Sequence, residues 1–110
     1  MPSQTRNSAL LVMLVMMLFA PTIAFAAKGV VVYKKSDCDY YIVEALLGFV
    51  VLEWYGGNDP SVGDTLVGDY ETYGMKDIYN LTADSETKVW VEDFWLTKDD
   101  AMEMYYEICH

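Results

Sequence analysis

Hydrophobic and polar positions alternate most clearly between residues 40 and 55, Tyr-Tyr-Ile-Val-Glu-Ala-Leu-Leu-Gly-Phe-Val-Val-Leu-Glu-Trp-Tyr. Two runs of β-branched and aromatic residues flank one glycine there, which is the pattern of a β-hairpin. Gly48 and Phe49 suit the central positions of a type II′ turn, whose first residue takes the positive φ that glycine reaches without a Cβ clash. In that register Leu47 faces Val50, Ala45 faces Leu52 and Val43 faces Trp54, so one face is wholly apolar and has to be buried. On the other face Leu46 meets Val51, Glu44 meets Glu53 and Ile42 meets Tyr55.

Like charges directly across a strand pair destabilise it by up to about 1 kcal/mol. Glu44 and Glu53 are therefore a candidate carboxylate pair, serving a cation, a substrate, or a shared proton with one raised pKa. A solvated face, neutralisation by Lys34 and Lys35, or a loop one residue longer accounts for the same pattern without a site.

Further short β patterns surround this hairpin. Residues 28–35, β-branched and bracketed by lysines, read as an edge strand protected against intermolecular pairing. Ser36-Asp37-Cys38-Asp39 is a polar turn, with too few oxygens for calcium. Residues 56–61, Gly-Gly-Asn-Asp-Pro-Ser, form a loop. The strand at 65–70 carries Gly68, which predicts a bulge or sharp bend, and strands follow at 76–82 and 87–96. Turns recurring at this spacing belong to sandwiches and barrels. Glycine punctuation of this kind is frequent in small SH3-like and OB-like barrels, although no specific motif ties the chain to either.

At Thr97 the period changes to that of a helix over residues 98–108. Its hydroxyl caps the free N–H groups, with Asp100 as the capping-box partner and Asp99 favoured by the dipole. Ala101, Met104, Tyr105 and Ile108 share a stripe, joined by Met102, Tyr106 and Cys109, and acidic residues fill the other side. The fold expected is mainly β: a five- or six-stranded antiparallel barrel or bent sheet with one C-terminal α-helix as its lid.

Residues 1–26 have the layout of a signal peptide: Arg6 in a polar start, an apolar core over 9–20, Pro21, and Ala24-Phe25-Ala26 as a cleavage site. A retained membrane anchor is the competing reading. Export to the periplasm or the extracellular space is expected, with residues 27–110 as one small domain. Those residues carry six lysines against 17 carboxylates, a net charge of −11, and no arginine. Nucleic acid and anionic membranes, which are bound through basic side chains, are poor partners for such a surface, and no membrane association is expected once the leader is removed.

In an oxidising compartment Cys38 and Cys109 are expected to form a disulfide, closing a loop of about 70 residues worth roughly 4 kcal/mol by chain entropy. Two distant cysteines and a terminal histidine do not make a zinc site. No metal, cofactor or catalytic residue is assigned: His110 is the only histidine, and nucleophile–base pairs, phosphate loops and Cys-x-x-Cys motifs are missing from the sequence. Asn80-Leu81-Thr82 is formally a glycosylation sequon.

What remains is a surplus of aromatics, nine tyrosines and three tryptophans, all after residue 26. Tyr55, Tyr70, Tyr73, Tyr79, Trp90 and Trp95 are candidates for an exposed surface that holds a protein, peptide or glycan. The expectation is a monomeric, non-catalytic binding module whose charge favours a basic partner. The alternative is a cation-dependent protein or small hydrolase built on Glu44 and Glu53.

Overall fold

The computed structural model describes residues 26–110, so the expected leader lies, apart from its last residue, outside the described residues. Six strands, β1 (Ala27–Lys34), β2 (Tyr40–Ala45), β3 (Gly48–Gly57), β4 (Thr65–Gly68), β5 (Gly74–Asn80) and β6 (Ser85–Leu96), precede one helix, α1 (Lys98–Ile108). The strands close into an antiparallel barrel in the order β1-β2-β3-β6-β5-β4.

Closure corrects the reading of residues 28–35 as an edge strand. β1 pairs with β2 on one side and with β4 on the other, because the barrel returns β4 to it through contacts distant in sequence. Gly68 is likewise not a bulge: the β4 registers with β1 and β5 run without a shift. A Cβ there would lie 2.5 Å from Ile78 Cγ2 and 2.7 Å from its Cβ, so the glycine serves close approach of a neighbouring strand. Gly29 does the same beside Glu44 O and Val43 Cγ1, 2.6 and 2.7 Å from its would-be Cβ.

The β2–β3 hairpin forms, but its turn is Leu46-Leu47, with Ala45 opposite Gly48. Both leucines avoid positive φ, which Gly48 takes instead at 143°. Each pairing therefore differs from the expected one by four residues on one strand. An even shift preserves the faces, since side chains alternate with period 2. Tyr41, Val43, Val50 and Leu52 accordingly point into the barrel, where they join Val31, Leu66, Tyr70, Ile78, Val89 and Val91 in the main core.

Ile42 and Val51 face outward and are covered by α1 through Ala101, Tyr105 and Cys109, which builds a second, smaller core. Thr97 caps the helix, its side chain accepting from the Asp100 amide at 3.2 Å. Tyr105 is fully buried, accepts from the Lys35 amide at 2.8 Å and donates to Tyr40 O at 2.9 Å, replacing ladder partners where β1 and β2 diverge. Tyr106, placed on the apolar stripe by its spacing, is half exposed and turns toward Tyr33 at the rim. The Cys38–Cys109 disulfide, with Cα atoms 5.9 Å apart, fixes the helix end beside the β1–β2 turn. Both cores and every strand pairing are completed within residues 27–110.

Two outcomes follow from this packing. Gly68→Ala should lower unfolding stability by about 1–3 kcal/mol through overpacking against Ile78, whereas Gly56→Ala, whose Cβ would meet nothing within 4 Å, should be nearly neutral; paired urea unfolding curves compare them. Burial pushes the hydroxyl pKa of Tyr40, Tyr41, Tyr70 and Tyr105 above the ordinary 10.0, and for Tyr40 a hydrogen bond to Glu53 adds to it. A folded-state pKa above the unfolded one stabilises fully below pH 10 and is lost as pH rises beyond it. Stability should hold from neutral to mildly alkaline pH and fall above 10, with late phenolate absorbance appearing together with loss of structure.

Candidate functional site

The observed register separates the two candidate carboxylates. Glu44 lies opposite Phe49, and Glu53 opposite Tyr40, four positions apart or roughly 13 Å at about 3.3 Å per residue. No opposed pair exists. Glu44 lines a cleft of about 420 Å³ between α1 and the outer wall of β1 and β2, with Val32, Tyr33, Ile42, Phe49, Lys98 and Met102. Glu53 accepts from the Tyr40 hydroxyl at 2.9 Å. Among the described residues no three His, Cys, Asp or Glu side chains converge on a point where a metal ion would sit. His110 is exposed at the chain end, its Nδ1 3.0 Å from Glu107 O.

Of the six aromatic candidates, Tyr70 is not at the surface. It is fully buried in the barrel and donates to Leu66 O at 2.9 Å. Its burial is set by Gly29, whose missing Cβ leaves room 3.0 Å from the tyrosine hydroxyl. Tyr79 is half buried, its hydroxyl bonded to the Asp84 carboxylate. Tyr55, Tyr73, Trp90 and Trp95 are exposed, at 53, 64, 39 and 59%.

These four fall into two groups, both arranged by irregularities of one ladder. Between β3 and β6, Val51 opposes Asp93 while Leu52 opposes Val91, which leaves Glu92 extra. Trp54 opposes Val89 while Gly56 opposes Lys88, which leaves Tyr55 extra, and Phe94-Trp95 stand against Val50 alone. Such bulges re-aim side chains and recur beside functional sites.

The first group lies on the outer wall of β2, β3, β6 and β5. Tyr40, Glu53, Trp90 and Met75 form one continuous cross-strand row, with Met75 44% exposed. After burial and the Glu53 hydrogen bond, the charges of Glu53 and Glu92 and the neighbouring Tyr55 add to the raised pKa of the Tyr40 hydroxyl. Indole, phenol and thioether surface is thus interleaved with two carboxylates.

The second group caps the barrel end. Tyr73 packs on Phe94 at 4.8 Å between ring centroids, and Phe94 meets Trp95 edge-on at 5.0 Å. The Trp95 indole N–H donates to Glu71 at 2.9 Å, and the Tyr73 hydroxyl to Asp93 at 3.0 Å; that bond raises the Tyr73 pKa. Trp95 holds φ at 57°, a conformation that disfavours a bulky L-residue by about 1–2 kcal/mol. Gly48 accommodates it: a Cβ there would be 3.0 Å from Trp95 Cα and from Leu96 O. Sequence reading missed Tyr40, Met75 and Phe94 as members of these groups, because the bulges that gather them leave no local signature.

At the opposite end Asn80 is fully buried. Its side-chain amide donates to Asn58 and to Asp64, both at 2.8 Å, and its oxygen accepts from the Ala83 amide at 3.1 Å. The sequon is therefore a structural knot, with Thr82 accepting from the Thr65 amide at 3.0 Å, and the folded chain presents no acceptor nitrogen there. The chain matches no protein-family model, and no curated protein or solved structure shows significant similarity to it.

Asn80→Ala strips both donors from Asn58 and Asp64. It should lower stability by about 1–3 kcal/mol, measured by chemical denaturation, while Asn58→Ala, which removes one acceptor, should have the smaller effect.

Proposed function

We propose that this chain is an exported, non-catalytic binding module that holds a basic polypeptide segment on the outer wall of β3, β6 and β5. The observation that carries the reading is the row Tyr40–Glu53–Trp90–Met75, flanked by Tyr55 and Glu92. A lysine or arginine over an indole face gains about 0.5–2 kcal/mol, and carboxylates on either side complete its charge pairing. The net charge of −11 over residues 27–110 steers a cationic partner toward this wall and disfavours acidic ones. Export agrees with the Cys38–Cys109 disulfide, a bond favoured by oxidising compartments. The second reading, a cation site or hydrolase on Glu44 and Glu53, depended on a juxtaposition that the register does not make, and it has no other support.

Titration with a lysine- and arginine-rich peptide, followed by calorimetry, tests the proposal. Binding should weaken with added salt, since exposed charges are screened beyond about 8 Å at physiological ionic strength. Trp90→Ala should reduce affinity about 2- to 30-fold, Glu53→Gln should reduce both affinity and its salt dependence, and Glu44→Gln should change neither. Equal affinity in wild type and Trp90→Ala would remove the wall from consideration.

A further inference from the structure

We infer that the barrel end carrying Leu46, Leu47 and Trp95 is a membrane-contact face that seats on a zwitterionic lipid bilayer. The β2–β3 turn is the most exposed apolar feature of the described chain, with Leu46 at 95% and Leu47 at 64% exposure. Turns favour Gly, Asn, Asp, Ser and Pro for backbone reasons, and nothing in this turn uses a leucine. Beside it stands Trp95, kept exposed at an unfavourable φ and fixed by Phe94 and Glu71. Tyr73 adjoins Phe94. A hollow of about 350 Å³ at the same end is lined by Ala27, Lys28, Ala45, Leu46, Leu47 and Glu71, and by Ala26, where the described chain begins.

The position of Ala26 supplies the occupant. Upstream, the apolar run over 9–20 is separated from it by residues 21–25 alone, and the six links from Ala20 to Ala26 span at most about 20 Å. While that run resides in a bilayer, before any cleavage, this end of the barrel stays within that distance of the lipid surface. The chemistry agrees: leucines suit the acyl boundary, and amphipathic Trp and Tyr rings suit the headgroup level. Asp93 and Glu71, which anchor the rings, outnumber the single cation Lys28 at this end and disfavour anionic lipid, so the surface recognised is zwitterionic. A patch of this size gives weak, reversible attachment when alone, because stable anchoring takes two signals. This inference departs from the expectation, drawn from net charge, that the domain has no membrane association once its leader is removed.

The test uses residues 27–110, which complete both cores and all strand pairings among themselves, because the full chain would bind lipid through residues 9–20 whatever this end does. The protein is mixed with phosphatidylcholine vesicles containing brominated acyl chains, and tryptophan quenching is read. Quenching is expected in wild type and in Trp90→Phe, and should be largely lost in Trp95→Phe. The double variant Leu46→Ser, Leu47→Ser, checked for an unchanged circular dichroism spectrum, should bind vesicles at least about fivefold more weakly. Absence of quenching in wild type overturns the inference, as does quenching that persists in Trp95→Phe and in the leucine double variant. Self-association without vesicle binding, abolished by the leucine changes, also overturns it and assigns the face to a second copy of the chain.

Discussion

Everything in this domain depends on β1 being hydrogen-bonded along both sides. Its pairing with β2 is local, but its pairing with β4 closes the cylinder, so that every described strand has a neighbour on both sides. Closure also brings each of these two strands close to its other neighbour: Gly29 of β1 has no room for a Cβ against Glu44 and Val43 of β2, and Gly68 of β4 none against Ile78 of β5. The interior that results is filled by valines and by two buried tyrosines, Tyr41 and Tyr70. A barrel this small therefore has no room for a ligand inside, and any recognition has to occur on its outer wall or its ends.

That outer wall is divided. One part, over β2 and β3, is given to α1, whose attachment combines apolar burial with the double hydrogen bond of Tyr105 and the disulfide. The rest stays open, and the β3–β6 ladder that runs between the two parts carries the bulges that set out Tyr55, Glu92 and Trp95. The same ladder thus supports the helix through Val51 and displays the exposed aromatics. Rigidity on one side is what makes the display on the other side well defined, since Tyr55 and Trp90 lie on paired strands and Tyr73 and Trp95 are tied to carboxylates.

Local chemistry was the legible part of the sequence. The helix from Lys98 to Ile108 and its Thr97 cap followed from period and capping alone, and the two faces of the hairpin followed from alternation even though its turn sits two residues earlier than glycine chemistry indicated. Gly48 misled because its positive φ answers to the passage of Trp95 and Leu96 beneath it, a contact made across nearly half the chain. The burial of Tyr70, the double pairing of residues first read as an edge strand, and the separation of Glu44 from Glu53 have the same origin. Each depends on which strands become neighbours, and that is settled by closure and not by any run of residues. Of the candidate site, Trp90 and Tyr55 were recognisable as surplus aromatics, while their acidic and thioether companions were brought in by the bulges.

The strand order also dictates a sequence of events. β3 is completed by residue 57, yet its outer partner β6 begins only at Ser85, with β4, β5 and the loops about them in between. During synthesis the edge of β3 is available before the strand that covers it. Contacts of this separation form slowly, after a substantial loss of chain entropy, and an uncovered edge is a template for intermolecular pairing. The hazard for this protein is thus one of timing: a molecule resistant to edge-to-edge association once closed passes through an interval in which the first three strands are complete and open, and that interval ends when β6 arrives.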